Sequence, residues 1–165
     1  IENSTTPLVL DADALNCVAK QPEILLRKKA PIIITPHPGE MSRLTGLATP
    51  LVNAERERVA LNFAQKYGVV TVRKGAGTVI ASPNGKVLVN PTGNSGMATG
   101  GSGDVLAGMT ASILAQGASA FSSAAAAVYL HGLAGDIAAE KYGKISMLPT
   151  DLINCIRLAY KRCGF

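Results

Sequence analysis

Ile32-Ile33-Ile34-Thr35-Pro36-His37-Pro38-Gly39-Glu40 decides the fold. Three isoleucines make a continuous β-branched run that stops abruptly in a polar segment punctuated by prolines. A strand apolar at every position, rather than at alternate ones, is covered on both faces, which is the pattern of a parallel sheet between helix layers. Upstream, Leu8-Val9-Leu10 runs in the same way into Asp11-Ala12-Asp13. Downstream, Val69-Val70-Thr71-Val72 reads as a third buried strand. Thr78-Val79-Ile80-Ala81 and Val87-Leu88-Val89 then bracket the turn signal Pro83-Asn84-Gly85-Lys86, which predicts a hairpin.

Helical periodicity fills the intervals. From Asn53 to Tyr67, Val59, Ala60, Phe63, Ala64 and Tyr67 share one face, and Gly68 stops the helix. After Pro91 a glycine-rich loop, Thr92 to Gly103, precedes helices expected over 104–116, 119–141 and 150–162, the last with Thr150 as candidate N-cap. Strands alternating with helices predict an α/β domain over residues 1–165, with a mostly parallel central sheet and helices on both faces.

Composition narrows the class of function. With 47% hydrophobic and 16% charged residues in 165, the chain can bury a core, and disorder, collagen and coiled coil are excluded. The net charge of +5 raises nucleic acid as a partner, but basic residues are scattered and aromatics are 4%, so a stacking platform is missing. An anionic small molecule fits the charge as well, and no nucleic-acid partner is expected. Between Asp104 and Asp136 no acidic or basic side chain other than His131 occurs, yet Gln116-Gly117 breaks the run and serines and alanines dilute it. Two packed helices are expected there rather than a membrane span. Cys17, Cys155 and Cys163 have no metal-ligand spacing and read as reduced packing residues of a cytoplasmic protein.

In such sheets ligands bind outside the carboxyl ends of the strands. The residues there are Asp11, Asp13 and Asn16, then Thr35 to Glu40, Arg73 to Thr78, and the loop ahead of Asp104. Gly100, Gly101, Ser102 and Gly103 open an apolar helix. Without side chains at the glycines, backbone N–H groups can converge on one point, and the helix dipole adds positive character, so the segment is an anion hole. Asp104 either stabilises its own helix start or takes a proton from a hydroxyl attacking a bound phosphate. Lys74-Gly75-Ala76-Gly77-Thr78 is a hairpin turn or a ligand loop, His37 a rigid loop residue or a contact, and Glu40 a helix-start carboxylate or a functional one.

Taken together, LVLDADALN (Leu8 to Asn16), TPHPGEMSRLTG (Thr35 to Gly46), KGAGT (Lys74 to Thr78), GNSGMATGGSGDVLAG (Gly93 to Gly108) and YLHG (Tyr129 to Gly132) resemble the ADP-dependent NAD(P)H-hydrate dehydratases of the ribokinase-like superfamily, in order along the whole chain. The resemblance implies a three-layer αβα sandwich and a cytoplasmic enzyme that restores NADH or NADPH from the S epimer of its hydrate, converting ADP to AMP and phosphate. It matches Lys74, Gly75, Ala76, Gly77, Thr78 and Gly103 to nucleotide-binding positions, His37 and Asp104 to hydrate-contacting positions, and Asp104 to the catalytic base. His37-Pro38-Gly39-Glu40 is similar to the Asn-x-x-Glu of related kinases, where the glutamate organises Mg2+ and phosphate; the His in place of Asn puts a metal role of Glu40 in question. Members carry further chain ahead of the Asp11 strand, so the sheet is expected to be incomplete on that side, with the N-terminal part supplied by another chain or lost. A homo-oligomer is expected. The rival readings are a ribokinase-like kinase of a vitamin-precursor alcohol and a nucleotide-binding module without turnover.

Overall fold

The computed structural model describes residues 1–165. Strands β1 (Leu8–Leu10), β2 (Ile32–Ile34), β3 (Val70–Arg73), β4 (Val79–Ala81) and β5 (Val87–Val89) form one sheet in that spatial order. Helices α1 (Asp13–Ala19), α2 (Pro38–Thr45), α3 (Thr49–Ala54) and α4 (Arg56–Tyr67) connect the first strands; α5 (Ser102–Ala115), α6 (Ala120–Tyr142) and α7 (Pro149–Arg162) follow the last.

The isoleucine run behaves as its chemistry demands. Ile33 packs with α5, α6 and α7 through Leu106, Val128, Ile137 and Leu152. Ile32 and Ile34 point to the opposite face, against Leu15, Met41, Val52 and Phe63. Successive strand side chains alternate between faces, so one tripeptide seeds both halves of a helix–sheet–helix sandwich. Each isoleucine withdrawn from water contributes about 1.5–3 kcal/mol.

The sheet is mixed: β1, β2 and β3 run parallel, while β3–β4 and β4–β5 are antiparallel. The antiparallel part arises where short turns connect neighbouring strands, since only a crossover helix can return the chain for parallel pairing. β1 pairs with β2 alone, and its residues are only half-buried, unlike the two-faced burial expected for it.

Three helix boundaries differ from the periodicity reading. The helix expected over 53–67 is two helices, α3 and α4, broken at Glu55 (φ −117°, ψ 35°), which lets both Val52 and Val59 reach the core. α5 starts at Ser102 rather than 104, so Ser102 and Gly103 belong to its first turn. Thr150 is not the N-cap of α7: Pro149 takes the first helical position, which its fixed φ suits, and the Leu148 N–H donates to Asp151 Oδ2 at 2.9 Å. Of the cysteines, Cys155 packs in the core as expected, whereas Cys17 and Cys163 are exposed and none is disulfide-bonded. No helix is long and apolar enough to cross a membrane; α5 and α6 turn at Gln116-Gly117, with Ala124 and Ala127 buried inside the chain's own core.

Candidate active site

Because β1, β2 and β3 are parallel, their carboxyl ends lie side by side, and Asp11, His37 and Lys74 emerge together. The Lys74 N–H donates to the carbonyl of Pro36 at 2.8 Å, tying the exit of β3 to that of β2. Lys74 Nζ donates to Asp11 Oδ1 at 2.7 Å and lies 3.9 Å from Glu40 Oε2. A Cβ added at Gly103 would stand 3.3 Å from the same Nζ and 3.9 Å from Asp11 Oδ2, so the first turn of α5 closes over this ion pair. Residues 11, 40, 74 and 103 thus meet at one point.

Two helices begin there. At α2, His37 is the N-cap: its Nδ1 accepts from the N–H of Gly39 at 3.0 Å and of Glu40 at 3.3 Å. In return Glu40 Oε2 accepts from the His37 N–H at 2.7 Å, a reciprocal capping box with histidine in the place usually held by serine or threonine. An accepting Nδ1 puts the ring proton of neutral His37 on Nε2, which lies 3.6 Å from Glu40 Oε1. Glu40 is 5% exposed, and its burial is explained by this cap together with Lys74.

At α5, by contrast, no side chain caps the helix. Gly101 stands at the cap with φ 96°, a conformation glycine takes without penalty. The Ser102 N–H turns back to the carbonyl of Thr99 at 3.3 Å, which removes that amide from the expected anion hole. The N–H groups of Gly100, Gly101, Gly103 and Asp104 have no protein acceptor, so the open donors include the amide of Asp104 itself. A Cβ at Gly100 would meet nothing within 4 Å, leaving space in front of it. Unpaired donors at the positive end of a helix are an anion site. The Asp104 side chain is exposed and makes no hydrogen bond or ion pair.

The remaining predicted residues form the rim. Ala76 is fixed by Arg56, whose guanidinium donates to its carbonyl at 2.6 Å. Thr78 Oγ1 donates to the carbonyl of Gly75 at 2.9 Å, and Gly77 adopts φ 64°. Arg73, buried beneath this loop, bonds Asn53 and the Lys74 carbonyl; burial holds its pKa below the ordinary arginine value. Asp11 was placed among the strand-end residues, but its pairing with Lys74 was not foreseen, because 63 residues separate the two. His131 was missed as well: its Nε2–H donates to the Ser102 carbonyl at 2.9 Å from inside the α5–α6 interface. Both lie within quoted motifs, but no spacing rule links either to its partner.

An apolar groove lies elsewhere, between α2, α3 and α4, lined by Leu44, Leu47, Leu51, Phe63, Arg58 and Lys66. Its lining holds no carboxylate, histidine or cysteine. Regarding metal, no group of three ligating side chains occurs. Mg2+ is usually held by one or two carboxylates plus phosphate oxygens and water. Asp11 and Glu40 supply the carboxylates, so the residues fit an ion that shares its shell with a nucleotide's phosphates.

A helix–sheet–helix sandwich with an uncapped glycine helix start beside a lysine at the strand ends defines the chain as a ribokinase-like α/β protein. Its backbone superposes on the Bacillus subtilis ADP/ATP-dependent NAD(P)H-hydrate dehydratase co-crystallised with ATP and Mg2+, with TM-score 0.89 and 35% identity, over 98% of this chain and 57% of that one. The NAD(P)H-hydrate dehydratase family model matches residues 1–158, and the chain belongs to that family. It is 47% identical over 148 residues to a bifunctional NAD(P)H-hydrate repair enzyme of Moorella thermoacetica, covering 90% of this chain and 28% of the relative. It is 43% identical over 144 residues to the ADP-dependent (S)-NAD(P)H-hydrate dehydratase of Neisseria meningitidis, covering 86% and 49%. The chain therefore spans less than half the length of each of these two relatives.

Proposed function

We propose that the chain forms the nucleotide-binding and catalytic part of an ADP-dependent (S)-NAD(P)H-hydrate dehydratase of the cytoplasm. The observation that carries this reading is the open start of α5, where the free N–H groups of Gly103 and Asp104 stand beside the Lys74–Asp11 pair. Family membership supplies the substrate class.

A hydroxyl is a poor leaving group near neutral pH, and phosphorylation converts its departure into loss of phosphate. Asp104 takes the proton of the hydrate's C6 hydroxyl as its oxygen bonds to the terminal phosphorus of ADP, and the bond from that phosphorus to AMP breaks. Amides of Gly100, Gly101, Gly103 and Asp104 carry the charge spread over the transferring oxygens. Lys74, neutralised at rest by Asp11, faces the same charge. The ring nitrogen's lone pair then expels phosphate, and loss of the adjacent ring proton restores the dihydronicotinamide. Gly75, Ala76, Gly77 and Thr78 border the nucleotide, and the exposed ring edge of His37 contacts the hydrate. Glu40 and Asp11 would hold an Mg2+ ion that enters with the nucleotide, and the ion would neutralise phosphate charge.

The unpaired outer edge of β1 supports pairing with a further strand, such as one from a second copy. Incubation of the assembled protein with NADH hydrate and ADP is expected to regenerate the absorbance of reduced nicotinamide with stoichiometric AMP and phosphate. Accumulation of a stable phosphorylated product would instead mark an alcohol kinase, and neither product a binding module. Asp104→Asn is expected to lower turnover by about 100-fold or more while leaving ADP affinity within twofold, because only the base is lost.

A further inference from the structure

The Ser102–Gly103 peptide has two ends with different fates. Its N–H, on Gly103, opens into the proposed phosphate cradle beside Lys74. Its carbonyl, on Ser102, points into the protein, where the buried imidazole of His131 donates to it at 2.9 Å. A carbonyl cannot donate, so the imidazole proton is on Nε2 and the donor is the ring. Ser102's own side chain gives no anchor, since its Oγ is buried without a partner.

We propose that His131 is a positioning residue of the phosphate cradle: by holding the Ser102 carbonyl, it fixes the direction and raises the donor strength of the Gly103 N–H on the same peptide. The inference rests on the reading of this cradle as the seat of a nucleotide's terminal phosphate. The helical start of α5 already turns the Gly103 N–H outward. A second hydrogen bond to the Ser102 oxygen, which has two lone pairs, fixes the tilt of the peptide plane and polarises it. Hydrogen bonds in a chain strengthen one another, here from imidazole N–H through the peptide to a phosphate oxygen. Burial pushes the His131 pKa down to about 4, partly offset by the Ser102 bond and reinforced by the charge of Lys74, so near neutral pH the ring is the single-proton donor the geometry needs. His131 also sits on α6, whose Asp136 accepts from the Gly93 N–H at 2.8 Å and from Asn94 Nδ2 at 2.9 Å, so one helix holds both the approach to the glycine loop and its final peptide.

The test compares His131→Gln with His131→Met, two variants of nearly equal shape of which only the first can donate, using the full chain with ADP as the probe at a temperature where thermal melts show both folded. His131→Gln is expected to bind ADP within about threefold of the parent, and His131→Met about tenfold more weakly than His131→Gln, a loss in the range of one hydrogen bond to a charged chain. In the ligand-free proteins the Gly103 amide proton is expected to move upfield in His131→Met and to stay in place in His131→Gln, a signature that lost stability alone would not produce. Equal ADP affinities and equal Gly103 shifts in the two variants would overturn the role of His131 while leaving the nucleotide reading intact. No ADP binding by the parent chain would overturn both.

Discussion

α2 and α5 start beside the same lysine, yet one helix seals its N-terminus and the other leaves it open. At α2, His37 and Glu40 exchange hydrogen bonds with the first-turn amides, and Pro38 removes one donor altogether. At α5, glycine stands at the cap, the first turn keeps unpaired N–H groups, and the first-turn acid, Asp104, leaves its own carboxylate unbonded. The two ends have the same dipole, so what distinguishes them is the side-chain cap, present at α2 and missing at α5. A protein-made cap stabilises a helix by about 0.5–2 kcal/mol, and α5 forgoes that. A ligand anion can supply it.

Each histidine serves one of these helix starts, and acid acts on the α5 side through His131. His131 has a folded pKa near 4, below the ordinary 6.5, so between these values the unfolded chain binds more protons than the folded one. Its contribution is fully present above pH 6.5 and is lost as the pH falls toward 4, about 3 kcal/mol in all by linkage. Urea unfolding at pH 7 and pH 4.5 is expected to show this decline, and His131→Gln to flatten it; an unchanged slope in the variant would mean that other groups carry the acid sensitivity.

Gly103→Ala tests the open end at its closest approach. The new Cβ would lie 3.3 Å from Lys74 Nζ, within the space a phosphate needs, while alanine favours a helix over glycine by about 1 kcal/mol. ADP affinity is expected to fall about tenfold or more with the thermal midpoint unchanged or raised, measured by calorimetry and thermal melting. A fall in both would make Gly103 a packing residue. At the closed end the effects reverse: His37→Ala is expected to cost about 1 kcal/mol of stability through the lost cap, read by urea unfolding, with ADP affinity within twofold.

How much of this was legible in the sequence depends on range. The isoleucine run, the hairpin turn and the glycines before Asp104 are local patterns whose geometry follows from sterics and period, and they located the strand ends correctly. The hairpin across 83–86 followed from its turn signal, whereas the sheet changes direction one strand earlier, at β3–β4, whose 74–78 connection the sequence left open between a hairpin turn and a ligand loop. The α3–α4 break escaped because both helices bury the same face, leaving the period unbroken across Glu55. The Lys74–Asp11 pair and the His131–Ser102 bond join residues that only the folded chain brings together, over 63 and 29 positions, and no propensity encodes them.

The contrast between the two helix starts is most directly measured by following backbone amide resonances of the full chain during ADP titration. The N–H signals of Gly103 and Asp104 are expected to shift downfield together and saturate, while those of Gly39 and Glu40, already bonded to His37, stay within the spread of distant residues. Large shifts at Gly39 and Glu40 with none at Gly103 and Asp104 would contradict the account.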